Sequence, residues 1–171
     1  MIPALLLSAI VVLLLLLAYQ DLRHRAVQLS LLIVLSIGII AYSYWQLPLQ
    51  SLILHGGVNL GFLLVQFVLI SLYFSIKEGR LLNIADKYLG WGDIVFLLPV
   101  CLLFSPFNFI LYYLLAIILT LLTFLIWQQF IEGTKATIPL VSGMAIVLIA
   151  ALLLDRLEIY DRYTDLFIYV F

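Results

Sequence analysis

Long apolar runs alternate with short polar segments along nearly the whole chain. Six of these runs are predicted to form membrane-spanning helices, although the fourth is shorter than the roughly 20 residues that a span usually needs. They cover Ile2–Tyr19, Gln28–Leu47, Leu52–Ser75, Gly92–Phe104, Phe107–Phe130 and Ile138–Leu154. The pattern therefore predicts an all-α fold, a polytopic transmembrane helical bundle of about six spans that occupies residues 1–154.

Composition agrees with a membrane protein. Hydrophobic residues make up 67% of the 171 residues and charged residues only 10%, whereas a soluble domain usually carries about 25% charged residues. The net charge of −1 gives no support to a nucleic-acid partner. Cys101 is the single cysteine, so neither an internal disulfide nor a cysteine-built zinc site is expected. Most of the protein surface is predicted to contact the lipid bilayer.

Basic residues predict the orientation of the spans. Lysine and arginine in short loops mark the cytoplasmic side of a membrane protein. The first, third and fifth loops hold Arg23, Arg25, Lys77, Arg80, Lys87 and Lys135. The second and fourth loops, around Pro48 and Pro106, hold no basic residue. We therefore expect the amino terminus outside the cytoplasm and the three basic loops inside it.

The C-terminal segment, residues 155–171, differs from the rest in composition. It mixes acidic residues with several tyrosines and phenylalanines. Aromatic residues at this density are typical of a membrane–water interface. The segment is predicted to be an amphipathic tail that lies on the outer surface of the membrane.

Two aspartates lie where apolar runs meet polar loops. Asp21 follows the first run and Asp93 begins the fourth, so the predicted orientation places both at the cytoplasmic interface. Charged groups at such positions are rare and often functional. The alternative is structural: each aspartate would pair with Arg23 or Lys87, or would cap a helix.

A pair of carboxylates could hydrolyse a peptide bond. The ionised member takes a proton from water while the protonated member polarises the carbonyl group, and no covalent intermediate is needed. Gly90 and Gly92 flank Asp93 and lack a Cβ atom, which lets a backbone or an extended substrate approach closely. This chemistry requires no metal and no organic cofactor.

Three segments resemble a known family. They are 21–25 (Asp-Leu-Arg-His-Arg), 89–94 (Leu-Gly-Trp-Gly-Asp-Ile) and 135–140 (Lys-Ala-Thr-Ile-Pro-Leu). The second resembles the Gly-x-Gly-Asp motif of intramembrane aspartyl proteases. The order and spacing of all three are similar to those of the type IV prepilin peptidases, in a short form without the methyltransferase domain.

The resemblance implies an aspartic endopeptidase in the bacterial cytoplasmic (inner) membrane. Its substrates would be pilin-like precursors, membrane proteins in which a basic leader precedes an apolar segment, cleaved at the cytoplasmic face. Asp21 and Asp93 would be the catalytic pair. The further residues that would shape the site or bind substrate are Gly90, Gly92, Lys135 and Pro139. N-methylation is not implied, because the family's paired cysteines are missing.

Two departures from the family pattern support an alternative to an active peptidase. Val27, Gln28 and Leu29 stand where the family usually has Ile-Pro and a polar residue, and Val95 stands where a lysine is common. One alternative is a catalytically inactive protein of the same fold that acts in assembly of a secretion or pilus system. Another is a small transporter in which the aspartates relay protons.

Overall fold

The computed structural model describes residues 2–79, 90–128 and 138–164, and within these ranges the chain is helical without any strand. This confirms the predicted all-α fold. The helices are α1 (Ile2–His24), α2 (Leu29–Gln46), α3 (Leu49–Glu78), α4 (Trp91–Val100), α5 (Pro106–Gln128) and α6 (Leu140–Arg156).

Four of these helices are long and apolar enough to cross a membrane. They are α1, α2, α3 and the part of α5 that covers Pro106–Ile126. Helix α4 has 10 residues and α6 has 17. At about 1.5 Å per residue, α4 covers only about half of a hydrocarbon core that is roughly 30 Å thick.

Helix α4 ends four residues before the end predicted for its span, Phe104. Pro99 lies in its last turn and has no N–H group to donate to the carbonyl oxygen four residues earlier. Residues 101–104 then form a turn. The amide nitrogen Nδ2 of Asn59, in α3, donates to the carbonyl oxygens of Cys101 and Phe104 at 2.8 and 3.0 Å. This side chain satisfies carbonyl groups that the early end of α4 would otherwise leave without partners.

The core lies where α1 packs against α6 and α2, while α6 also packs against α5. Helix α4 contacts α2 and α6, and α3 lies at the periphery against α5 and α2. The buried face of α1 repeats every three or four residues, as one face of a helix does. Its members are Leu7, Ile10, Leu14, Leu17, Ala18 and Asp21. Asp21 therefore occupies a core position at the end of an otherwise apolar face.

Helices α5 and α6 approach each other closely at Gly143. A Cβ atom at this glycine would overlap the side chain of Thr120 in α5. The Thr120 hydroxyl is itself directed to the carbonyl oxygen of Ala116, 2.6 Å away. This contact fixes the position of the first turns of α6 against α5.

The tail packs against the bundle as far as Thr164, the last residue described. Arg162 is 1% exposed, and its Nε lies 3.2 Å from the Asp155 carboxylate. Its guanidinium group also lies over the ring of Tyr42, 4.7 Å from the centroid. The amide of Asn108 donates to backbone carbonyls of the tail, including that of Arg162 at 3.1 Å. Residues 165–171 lie outside the described ranges, so the amphipathic surface segment stays a prediction.

Candidate functional site

Asp21 lies inside α1, one turn before its end. The sequence predicts that the first span ends at Tyr19, yet the helix continues for five more residues to His24, four of which are polar or charged. Arg25 then adopts a left-handed backbone conformation (φ 53°), and its N–H donates to the Asp21 carbonyl oxygen at 3.0 Å. This is a common way to end a helix. The aspartate side chain is consequently held on a regular helix and not on a loop.

The Asp21 carboxylate contacts the first turn of α6. Its Oδ2 accepts a hydrogen bond of 2.8 Å from the backbone N–H of Ser142, and both residues are buried. N–H groups in the first turn of a helix have no partner within the helix. Pro139, which precedes α6, provides no side-chain cap. Asp21, which belongs to α1, therefore acts as the capping residue of α6.

Asp93 lies in the first turn of α4 and is partly buried. Its Oδ2 accepts a hydrogen bond of 3.2 Å from the backbone N–H of Gly90. A carboxylate at the amino-terminal end of a helix is favoured by the partial positive charge there. Both aspartates thus have the helix-capping contacts that were considered as the structural alternative.

The two carboxylates lie at the same end of the bundle. Asp21 binds the first turn of α6, and Gly92, the residue before Asp93, lies beside Val27 in the loop that follows α1. Helix α4 also packs against α6. Arg23 does not pair with Asp21, because its Nη1 donates to the Tyr19 hydroxyl at 2.5 Å and its guanidinium lies over that ring. Lys87, the other predicted partner, lies outside the described residues. We call this end of the bundle, where α1 ends and α4 and α6 begin, the aspartate end.

The two glycines of the Gly-x-Gly-Asp segment have different neighbours. A Cβ atom on Gly90 would lie 3.1 Å from Oδ2 of Asp93, which is tighter than an ordinary contact. A Cβ atom on Gly92 would meet Val27, in the loop between α1 and α2, at an ordinary 3.7 Å. Gly90 therefore gives the Asp93 carboxylate room to fold back over its own helix end.

Gln28, one of the departures from the family pattern, has a structural role. Its backbone N–H donates to Oε1 of Gln20, and Nε2 of Gln20 donates in turn to its side chain, both at 3.3 Å. This pair closes the loop between α1 and α2 and holds Val27 beside Gly92. Val95, the second departure, is partly buried and packs against the hydrophobic core.

The other two predicted site residues are Pro139 and Lys135. Pro139 is buried directly before α6, and its carbonyl oxygen accepts a hydrogen bond of 2.8 Å from the Ser142 hydroxyl. Lys135 lies outside the described residues. Sequence reasoning missed Ser142, although a serine three residues after a proline at a helix start is a signal for a first-turn contact.

The described ranges contain no group of three or more histidine, cysteine or acidic side chains that could hold a metal. At the aspartate end the structure describes two carboxylates, each bound by a backbone N–H group.

Comparison with known protein families decides the class. The type IV leader peptidase family matches residues 8–125, which is more than half of the chain. The chain belongs to the type IV leader peptidase family. No curated protein and no solved structure matches it. The range matched to the leader peptidase family includes both aspartates and both glycines, whereas Lys135, Pro139 and Ser142 lie beyond it. Family membership supports a leader peptidase-type function acting on membrane proteins.

Proposed function

We propose that this leader peptidase family member is an aspartyl endopeptidase that removes the basic leader of pilin-like precursors. The carrying observation is that Asp21 and Asp93, 72 residues apart in sequence, stand at the same end of the bundle: Asp21 binds the first turn of α6, and Asp93 lies in the first turn of α4, which packs against α6. The family match supports the same activity from an independent direction.

The mechanism follows from a pair of carboxylates that share one proton. The ionised aspartate takes a proton from water, and the oxygen of that water attacks the scissile carbonyl carbon. The protonated aspartate donates its proton to the carbonyl oxygen. The tetrahedral intermediate then collapses, the C–N bond breaks, and a proton passes to the leaving amine. Water is consumed, and the products are a carboxylate and an amine.

The surroundings of the aspartates suit an apolar substrate segment. Leu22, Trp91 and Ile138 are 38%, 60% and 43% exposed, and each stands near Asp21, Asp93 or Ser142 in the chain. A precursor in which a basic leader precedes an apolar helix would present its cleavage point where lipid and water meet. We therefore propose that the apolar part of the substrate lies in the membrane beside these side chains.

The same arrangement supports cleavage at the cytoplasmic face of the bacterial inner membrane. Arg23 and Arg25 follow Asp21 at the aspartate end, which the positive-inside rule assigns to the cytoplasm. The loops assigned to the cytoplasm hold six of the eight basic residues, and the other two, Arg156 and Arg162, fall in the C-terminal segment. The N-terminus then lies outside the cytoplasm.

The test is cleavage of purified precursors by the protein in lipid vesicles. We expect the leader to be released as one peptide, and we expect slower release when the basic residues of the leader are replaced by glutamine. Cleavage of both precursors at equal rates would contradict the proposed preference for a basic leader. Absence of cleavage, together with a requirement for the protein in pilus or secretion-system assembly, would favour the inactive assembly protein instead.

Gly90→Ala provides a test of the site geometry. The added Cβ atom displaces Oδ2 of Asp93, and we expect kcat to fall about ten- to hundredfold with little change in thermal stability. The backbone at Gly90 (φ −72°, ψ 137°) accepts alanine without strain. Gly92→Ala is the matched control, because its Cβ atom makes only an ordinary contact. Equal kcat values in the two variants would count against the assigned role of Gly90.

A further inference from the structure

The hydrogen bond between Ser142 and Asp21 joins two residues that are 121 positions apart. Ser142 is 2% exposed and Asp21 is 7% exposed, so water has little access to the bond. Ser142 lies outside the range matched by the family and outside the three segments that carry the resemblance. The contact between Ser142 and Asp21 is therefore known from the structure and not from the family resemblance.

Three contacts fix the direction in which the Ser142 N–H points. The Ser142 hydroxyl donates to the carbonyl oxygen of Pro139 at 2.8 Å, which holds the first turn of α6 closed. The next residue, Gly143, begins the helical hydrogen bonds by donating to the same carbonyl at 3.4 Å. Gly143 also packs directly against Thr120 of α5. The N–H group is therefore presented to Asp21 by a turn that cannot rotate independently of the bundle.

We infer that Ser142 is a positioning residue of the peptidase, whose backbone N–H holds the Asp21 carboxylate in the orientation that places it beside Asp93. This inference rests on the proposed function. An aspartate side chain has two rotatable bonds, and Asp21 stands at the end of an otherwise apolar buried face of α1. The first turn of α6 supplies a hydrogen-bond donor and a partial positive charge.

Ser142→Pro removes this donor together with the hydroxyl contact to Pro139. The N–H of the third residue of a helix has no partner within the helix, so proline there costs no helical hydrogen bond. Val141→Pro is the matched control: it places the same ring one position earlier, in a residue that is also buried, and leaves the Ser142 N–H in place. Ser142→Ala is a milder variant that keeps the N–H and removes the hydroxyl contact with Pro139.

We expect Ser142→Pro to lower kcat for leader cleavage about 10- to 100-fold relative to Val141→Pro, the size expected for loss of a hydrogen bond to a charged group. KM should be nearly unchanged, because Ser142 does not touch the substrate. Ser142→Ala should lower kcat by about two- to tenfold in the same direction. Size-exclusion chromatography and thermal unfolding of each variant establish that the bundle is intact.

A second measurement does not depend on peptidase activity. The apolar reagent dicyclohexylcarbodiimide modifies carboxyl groups in membrane proteins, and mass spectrometry gives the extent of modification at Asp21. We expect modification to rise several-fold in Ser142→Pro, to rise less in Ser142→Ala, and to match the wild type in Val141→Pro. If the wild type cleaves no precursor, the proposed function fails, and the modification at Asp21 still decides the positioning role. If Ser142→Pro and Ser142→Ala both equal Val141→Pro in modification, the positioning role is overturned.

Discussion

Asp21→Asn and Asp93→Asn will each lower kcat for leader cleavage by about 100- to 10,000-fold, the range found for loss of a general acid or base. Asparagine has the same shape as aspartate but can neither take a proton from water nor hold one for the carbonyl oxygen. The amide oxygen of asparagine can still accept the hydrogen bond from Ser142 at position 21, or from Gly90 at position 93, so the fold is retained.

The double variant distinguishes a pair from two separate groups. Residues that act as one unit give strongly non-additive losses, so we expect the double variant to be no slower than the slower single variant. Asp161→Asn is the control at the opposite end of the bundle. Asp161 is exposed, and the Thr164 hydroxyl that donates to it holds its pKa below the usual range, so this variant also removes a negative charge. It should cleave at the wild-type rate. Losses that multiply in the double variant would argue against a shared proton.

Gly143→Ala will destabilise the bundle by about 3 kcal/mol, the upper part of the range for overpacking a tight interior. The new Cβ atom would overlap both the hydroxyl and the Cβ atom of Thr120. Because the Thr120 Cβ atom moves only with the backbone, α5 and α6 must separate. The measurement is the midpoint of thermal unfolding in detergent, and we expect it to fall by several degrees or more.

Glycines on α3 provide the control for this effect. A Cβ atom on Gly57 or Gly61 would have no neighbour within 4 Å. Gly57→Ala and Gly61→Ala should therefore leave the midpoint unchanged or raise it slightly, since alanine favours the helix. If Gly143→Ala behaves like these two variants, the close approach of α5 and α6 at Thr120 is wrong.

The existence of the helices could be predicted from hydropathy, but their packing could not. Residues 10–18 of α1 are all apolar, so the sequence gives no polar face from which to tell the buried side. The structure buries Ile10, Leu14 and Leu17 and continues that face to Asp21. The aspartate could be identified as unusual, whereas its core position depends on which neighbours α1 packs against.

The end of α4 shows where hydropathy misleads. Residues 101–104 are as apolar as the helix before them, and the predicted span therefore continues to Phe104. The helix itself ends at Val100: the N–H of Cys101 still bonds to Leu97, whereas the N–H groups of Leu102 and Leu103 bond to carbonyls only three residues earlier. Asn59 binds the turn that follows. Apolar character reports the surroundings of a segment and not its backbone conformation. The proline was the available signal.

Contacts distant in sequence were not predictable from residue patterns. The Ser142 N–H is a backbone group, so the bond to Asp21 leaves no characteristic residue at that position. The composition of residues 155–171 does not indicate that Arg162 is buried against Tyr42 and Asp155. Both features arise from how helix ends meet, which local sequence does not specify.

The central claim, that Asp21 and Asp93 together hydrolyse a leader peptide bond, is tested most directly by the masses of the products. Wild-type protein, Asp21→Asn and Asp93→Asn are incorporated into the same lipid vesicles and given the same pilin-like precursor. We predict that the wild type releases a leader peptide and a mature protein whose masses sum to the precursor plus one water. Neither variant should release them at a comparable rate. Release of the same two products by either variant at the wild-type rate would contradict the claim.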